Sequence, residues 1–143
     1  MKTLSRCALA VVLLTAGCSD TRETTTITRP DVPPARLLTF TGTLQPKGIN
    51  SHLFGVTRAG EVEVTLLGVS LVGGVQSQLV TVGLGIGVAS AGGACLLTHS
   101  VNTQGGTSAQ LNGTGQEGTL CISIFDVGNL TAPSVYTVTV ATP

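Results

Sequence analysis

The chain has 143 residues, enough for one domain and a leader, and only 10% of them are charged, well below the usual quarter. Hydrophobic residues reach 42%, yet there are three Phe, one Tyr and no Trp, against 19 Gly; this suits short strands and tight turns rather than helices and excludes disorder beyond residue 36. Seven basic residues balance seven acidic ones, but no Lys or Arg follows Arg58, which excludes the basic surface that nucleic-acid binding requires.

The first element is a leader. Lys2 and Arg6 precede an uncharged, largely apolar run at 7–16, long enough for a signal-peptide core and too short to span a bilayer as a helix. Leu14-Thr15-Ala16-Gly17-Cys18 then resembles the bacterial lipobox. The resemblance implies cleavage after residue 17 and acylation of Cys18, with Thr15 where Leu is commonest. Residues 1–17 are thus expected to be a lipoprotein signal peptide, and Cys18 the attachment point to membrane lipid. An ordinary secretory signal is the alternative. Two or three acyl chains exceed what stable anchoring needs. Ser19 in place of Asp resembles the preference for outer-membrane or cell-surface sorting over the inner membrane. Without residues 1–17, five basic residues face seven acidic ones, leaving the mature chain near −2.

Residues 18–36 read as a tether. The stretch after Cys18 has five Thr and three Pro, mixed charges and only two large aliphatics, Ile27 and Val32. Pro30, Pro33 and Pro34 favour extended backbone, and 18 such residues reach roughly 60 Å when fully stretched.

Residues 37–143 alternate with a period of two, the mark of strands. Leu38, Phe40, Gly42 and Leu44 share one face opposite Thr39, Thr41 and Thr43. His52, Phe54 and Val56 share the next, and a turn is expected at Arg58-Ala59-Gly60. Val62, Val64 and Leu66 oppose Glu61, Glu63 and Thr65, a half-buried antiparallel strand with a wet face. At 79–88, Val80, Val82, Leu84, Ile86 and Val88 oppose Thr81, Gly83, Gly85 and Gly87. A glycine face lets a neighbouring backbone approach closely. Weaker strands are expected at 95–100 and 107–111. Leu120, Ile122 and Ile124 alternate with Cys121, Ser123 and Phe125; Tyr136, Val138 and Val140 alternate with Thr137, Thr139 and Ala141. About eight short strands predict an all-β chain, a sandwich or a barrel. The rival is a transmembrane helix in the uncharged stretch 64–97. Its eight glycines would each cost a helix about 1 kcal/mol relative to Ala, and its period is wrong.

The run from His52-Leu-Phe-Gly-Val through Gly60-Glu-Val-Glu-Val-Thr-Leu, with the closing Gly118-Thr-Leu-Cys-Ile-Ser-Ile-Phe-Asp and Val135-Tyr-Thr-Val-Thr-Val, resembles the bacterial pre-peptidase C-terminal domain over residues 38–141. That resemblance implies a compact, single antiparallel β-sandwich of jelly-roll type, with an accessory, non-catalytic role. Relatives often carry acids for calcium in early loops and middle strands. None occurs at 46–51 or 79–89 here, so no cofactor or metal is expected.

Cys95 and Cys121 remain once Cys7 is removed and Cys18 is lipidated. In an oxidising compartment the even count fits a disulfide, which would close a loop worth roughly 3.5 kcal/mol in the chain-entropy model. Free buried thiols and a metal pair are the alternatives, the latter without CxxC spacing and with only His52 and His99 to help. Either His reads as a strand-end surface residue. No GxSxG elbow and no Lys-Ser/Thr after the glycine run occurs. Glu61 and Glu63 share a solvent face, Glu117 and Asp126 lie at opposite ends of a strand, and Asp126 with Asn129 reads as a turn former. No catalytic residue is therefore expected. The expectation is a non-enzymatic lipoprotein serving as a structural or interaction module of the cell envelope, with an envelope protein or polymer as partner. A carbohydrate or polymer-binding module is the alternative, which exposed aromatics or acids beside Phe125 would favour. A cleft joining His99 to an acid and a hydroxyl would point to an enzyme instead.

Overall fold

The computed structural model describes residues 35–72 and 80–143, all within the second of two units, Val32–Pro143. The leader, the lipobox at Cys18 and nearly all of the tether lie outside the described residues. Eight strands follow: β1 Arg36–Leu44, β2 Ile49–Val56, β3 Gly60–Leu71, β4 Val82–Ala89, β5 Cys95–Thr103, β6 Leu111–Gly115, β7 Gly118–Phe125 and β8 Ser134–Thr142. They form two four-stranded sheets in the orders β1-β8-β3-β6 and β2-β7-β4-β5. Every pairing is antiparallel. This interleaving of two sheets is the jelly-roll solution to the packing of an eight-stranded chain; of the sandwich and the barrel that the alternation allows, the chain forms the sandwich. No helix among the described residues is long and apolar enough to cross a membrane; the stretch 64–97 contributes β3, β4 and the start of β5 instead.

The period-2 faces become the two sides of one core. Leu44, Val62, Val64, Leu66, Val69, Tyr136, Val138 and Val140 come from the first sheet, and Phe54, Val56, Val82, Leu84, Ile122 and Ile124 from the second. Their burial supplies the main drive to fold. Thr39, Thr41 and Thr43 on β1 point outward and are exposed, as their opposite parity requires. β3 keeps its inward register past Leu66 only through a bulge between Leu66 and Gly68, which returns Val69 to the core opposite Tyr136.

Three details depart from the sequence reading. The strand expected at 107–111 runs at Leu111–Gly115, because residues 106–110 are a loop tied to β3 by Gly106 N–H to Leu66 O and Gln110 N–H to Val64 O. β1 begins at Arg36, one residue into the expected tether. β7 is buried on both faces rather than one: Cys121, Ile122, Ser123 and Ile124 are all fully buried. It lies between β2 and β4, and its outer face is covered by a disulfide, a Ser51–Ser123 hydroxyl pair at 2.7 Å and the ring of Phe125.

Candidate functional site

The two open sides of the sandwich differ. On one, edge strands β1 and β2 are bridged by side chains. His52 sits mid-strand, not at a strand end, and is half-buried. Burial holds its pKa below the usual imidazole value. Its Nε2 shares a 2.7 Å hydrogen bond with the Tyr136 hydroxyl, and its ring stacks on Phe40 at 4.9 Å between centroids. Asn50 donates from Nδ2 to the Thr43 carbonyl at 2.8 Å and also hydrogen-bonds Tyr136. Gly42 leaves the room that the phenol occupies: a Cβ there would meet the Tyr136 oxygen and ring. Burial raises the Tyr136 pKa, and the Asn50 contact opposes that rise. A neutral His52 accepting the phenol proton satisfies both groups. The arrangement seals this side.

The other side is open. Between β6 and the β4–β5 pair lies a cleft of about 510 Å³, in the size range of small-ligand sites. Val62, Ile86, Leu111 and Leu120 form its apolar part, and Thr98, His99 and Gln116 are among its polar lining. Gln110 is committed to the fold: its Oε1 accepts from Leu66 N–H at 2.7 Å, beside the β3 bulge. Thr98 donates to the Ile86 carbonyl at 3.2 Å. No carboxylate lines the cleft, so His99 has no acid beside it there. A second hollow, of about 460 Å³, is bordered by Arg58, Glu61, Glu63 and Pro143.

Cys95 and Cys121 are disulfide-bonded. Their strands are not sheet neighbours, since β4 lies between β5 and β7. The bridge is reachable because the start of β5 folds over the glycine face of β4. Gly87 is covered by the Leu96 carbonyl and the Leu97 backbone, Gly85 by the Leu97 side chain, and Gly83 by Phe125. The close approach expected of that face is therefore what brings the cysteines within 5.7 Å between Cα atoms. Phe125 is spent on this packing. Among the described residues its ring makes no contact with another aromatic ring, and the acid next to it in the chain is Asp126.

Asp126 is a turn former. Its Oδ1 accepts from the N–H groups of Gly128, Asn129 and Leu130, and its Oδ2 from Lys47 N–H at 2.8 Å. The Lys47 amide is the leading cause of a carboxyl pKa below its ordinary value. Asn129 donates instead to the Thr81 carbonyl. Among the described residues no group of three or more His, Cys, Asp or Glu side chains could hold a metal ion.

Nothing in the sequence marks the His52–Tyr136 pair, whose members are 84 residues apart, or the cleft, which needs the sheet order. No protein-family model and no curated protein matches the chain. The fold is similar to that of the mitogen derived from Yersinia pseudotuberculosis. Its crystal structure aligns with a TM-score of 0.51 and 16% sequence identity, covering 77% of this chain and 88% of that one. At that identity the likeness concerns architecture alone.

Proposed function

We propose that this protein is a lipid-anchored interaction module of the cell envelope, held by Cys18, spaced from the membrane by residues 18–36, and working through its sandwich without chemistry of its own. The observation that carries the interaction reading is the asymmetry of the two sides. One is closed by Asn50, His52 and Phe40, while the other opens into an uncharged cleft between two sheet edges. Such a cleft recognises a partner by shape, apolar burial and backbone hydrogen bonds. His99 has no acid in the cleft to orient it, and general acid–base work needs a positioned, tuned group. The anchor and the export reading rest on the lipobox resemblance, and an accessory role is what the pre-peptidase resemblance implies.

Two measurements test the halves separately. Mass spectrometry of the mature N-terminus is expected to find Cys18 first in the chain and acylated; an unmodified Cys18 overturns the anchor. A photo-reactive residue placed at position 99 in the intact chain should cross-link a partner, whereas the same group at position 139, on the outer face of β8, should not. Equal yields from both positions would overturn the cleft as the binding surface.

A further inference from the structure

We propose that His52 is an acid-operated latch on the closed side of the sandwich: neutral, it holds β1 against β2, and on taking up a proton it lets the two sheets part there.

Side chains alone hold that side. β1 is an edge of one sheet and β2 an edge of the other, and among the described residues no backbone hydrogen bond joins the two strands. The polar and aromatic contacts across the seam are Asn50 to the Thr43 carbonyl, His52 to Tyr136, and the Phe40 ring against His52 at 4.9 Å and Phe54 at 6.5 Å. The polar ones form a directed chain. The Thr43 carbonyl can only accept, so it fixes the Asn50 amide with its nitrogen toward the seam. An Asn50 hydrogen bond that favours ionisation of Tyr136 is one donated to the phenol oxygen. The phenol then gives its own proton to Nε2 of a neutral His52, 2.7 Å away. In this order no buried side-chain nitrogen or oxygen among the described residues is left without a partner.

Protonation puts a donor on Nε2, where the chain needs an acceptor. The phenol oxygen would then face two donors, and its own hydrogen would find no acceptor in the seam. Turning Asn50 over to supply one would set its oxygen against the Thr43 carbonyl. The stack on Phe40 favours the cation, but attraction to a Phe ring face is smaller than the cost of an unmet, desolvated donor. Water supplies the missing partner once the seam opens.

No other group around His52 titrates in the same range. β2 and β7 bring no Asp, Glu, Lys or Arg, and Cys121 on β7 is disulfide-bonded. β8 brings Tyr136 alone, and β1 brings only Arg36, exposed at its far end opposite Thr142. The turn between β1 and β2 carries Lys47, whose N–H is held by the Asp126 carboxylate at 2.8 Å, while the Asp126 N–H donates to the Gly48 carbonyl at 3.0 Å. The Asp126 pKa lies below 3.8, so in moderate acid this turn stays tied and serves as the hinge. β1 keeps its ladder to β8, and β2 its ladder to β7. What opens is the seam between the sheets, uncovering Leu38, Phe40 and Phe54. Burial holds the closed-state pKa of His52 below 6.5, and opening wets the ring. The closed form is therefore favoured in full above about 6.5. The ratio of open to closed rises roughly tenfold per pH unit from there down to the closed-state pKa, and levels off below it.

The chain has one Tyr and no Trp, so its intrinsic fluorescence reports on the latch itself. In the intact chain, lowering the pH from about 7.5 to 4.5, across the histidine range, should change that fluorescence and raise the binding of an apolar dye, both reversibly. Hydrogen exchange, corrected for its intrinsic pH dependence, should leave β4 and β7 as protected as before. His52→Gln should remove the response although His99 remains. Nitrogen NMR of the His52 ring should place the proton on Nδ1 in the closed form. Tyr136→Phe keeps the imidazole buried and removes the hydroxyl, and should raise the proton affinity of His52 about threefold or more; burial acting alone would leave it unchanged. Absence of the fluorescence and dye responses, their persistence in His52→Gln, loss of protection in β4 and β7 along with them, or a His52 affinity unmoved by Tyr136→Phe overturns the latch. The titration of the unmodified protein decides even if a variant fails to fold. Cross-linking from position 99 at neutral pH tests the opposite side of the sandwich, so the latch and the interaction reading stand or fall separately.

Discussion

The Leu96 carbonyl occupies the place where a Cβ on Gly87 would stand. This single approach lets β5 fold across β4 and brings Cys95 to Cys121. Gly87→Ala must therefore push backbone against backbone, which no rotamer change relieves. The expected cost is about 3 kcal/mol, at the upper end for overpacking. Gly55, with nothing within 4 Å of its would-be Cβ, is the control. Gly55→Ala should be neutral or slightly stabilising by way of the unfolded chain. Urea denaturation of both variants checks the contrast.

The disulfide joins residues 26 apart, and Cys121 is fully buried. Replacing both cysteines by Ala should lower stability by about 3.5 kcal/mol, the value of the chain-entropy model for a loop of this length. Denaturation midpoints of the oxidised protein and the double variant measure it. A loss well under about 1 kcal/mol would show that the crossing of β5 over β4 holds itself.

His52 makes stability depend on pH. Its folded pKa lies below the ordinary 6.5, so the unfolded chain takes up the proton first. Its contribution is fully present above about 6.5 and is lost as pH falls through the folded value. His52→Gln should flatten the pH profile in that window. The alkaline limb belongs to Tyr136, whose folded pKa is raised above 10.0. Its contribution holds below that value and disappears as pH climbs through the folded one. Thermal unfolding across pH, for the parent and for His52→Gln and Tyr136→Phe, separates the two limbs.

Asp126 acts further into the acid. Its folded pKa is below 3.8, led by the Lys47 amide. The stability it brings is present above 3.8 and is lost as pH drops through the folded pKa. Asp126→Asn keeps one acceptor oxygen and loses the other. It should loosen either the Lys47 turn or the 128–130 turn, and remove the steepest part of the acid transition. Amide exchange at Lys47, Gly128, Asn129 and Leu130 reads which one.

Most strands were legible because burial on one face imposes a period of two. Val62, Val64 and Leu66, or Tyr136, Val138 and Val140, announce their strands and their inward faces without a structure. β6 was not legible. Leu-Asn-Gly-Thr-Gly reads locally as a turn, and only its pairing with Gly60–Val64 extends it. β7 misled for the opposite reason: its alternation is genuine, but Cys121 and Ser123 are covered by Cys95 and Ser51, which arrive from other strands. The glycine face of β4 could be read, since three alternate glycines leave a smooth track. The candidate cleft could not, because it depends on which edges the two sheets leave side by side.

β1 pairs with β8 from Arg36↔Thr142 to Leu44↔Ser134, so the first strand of the sandwich is completed by the last. A chain leaves the ribosome from its N-terminus, and contacts of such long range are slow to form. Until β8 is made, β1 and β3 have no central strand between them. The β2-β7-β4-β5 sheet has its last member in hand by Phe125, while its companion sheet waits for the final nine residues of strand. A newly made chain thus holds half of its core unroofed until β8 is available, and the insertion of that strand between β1 and β3 is the event that lets the core close.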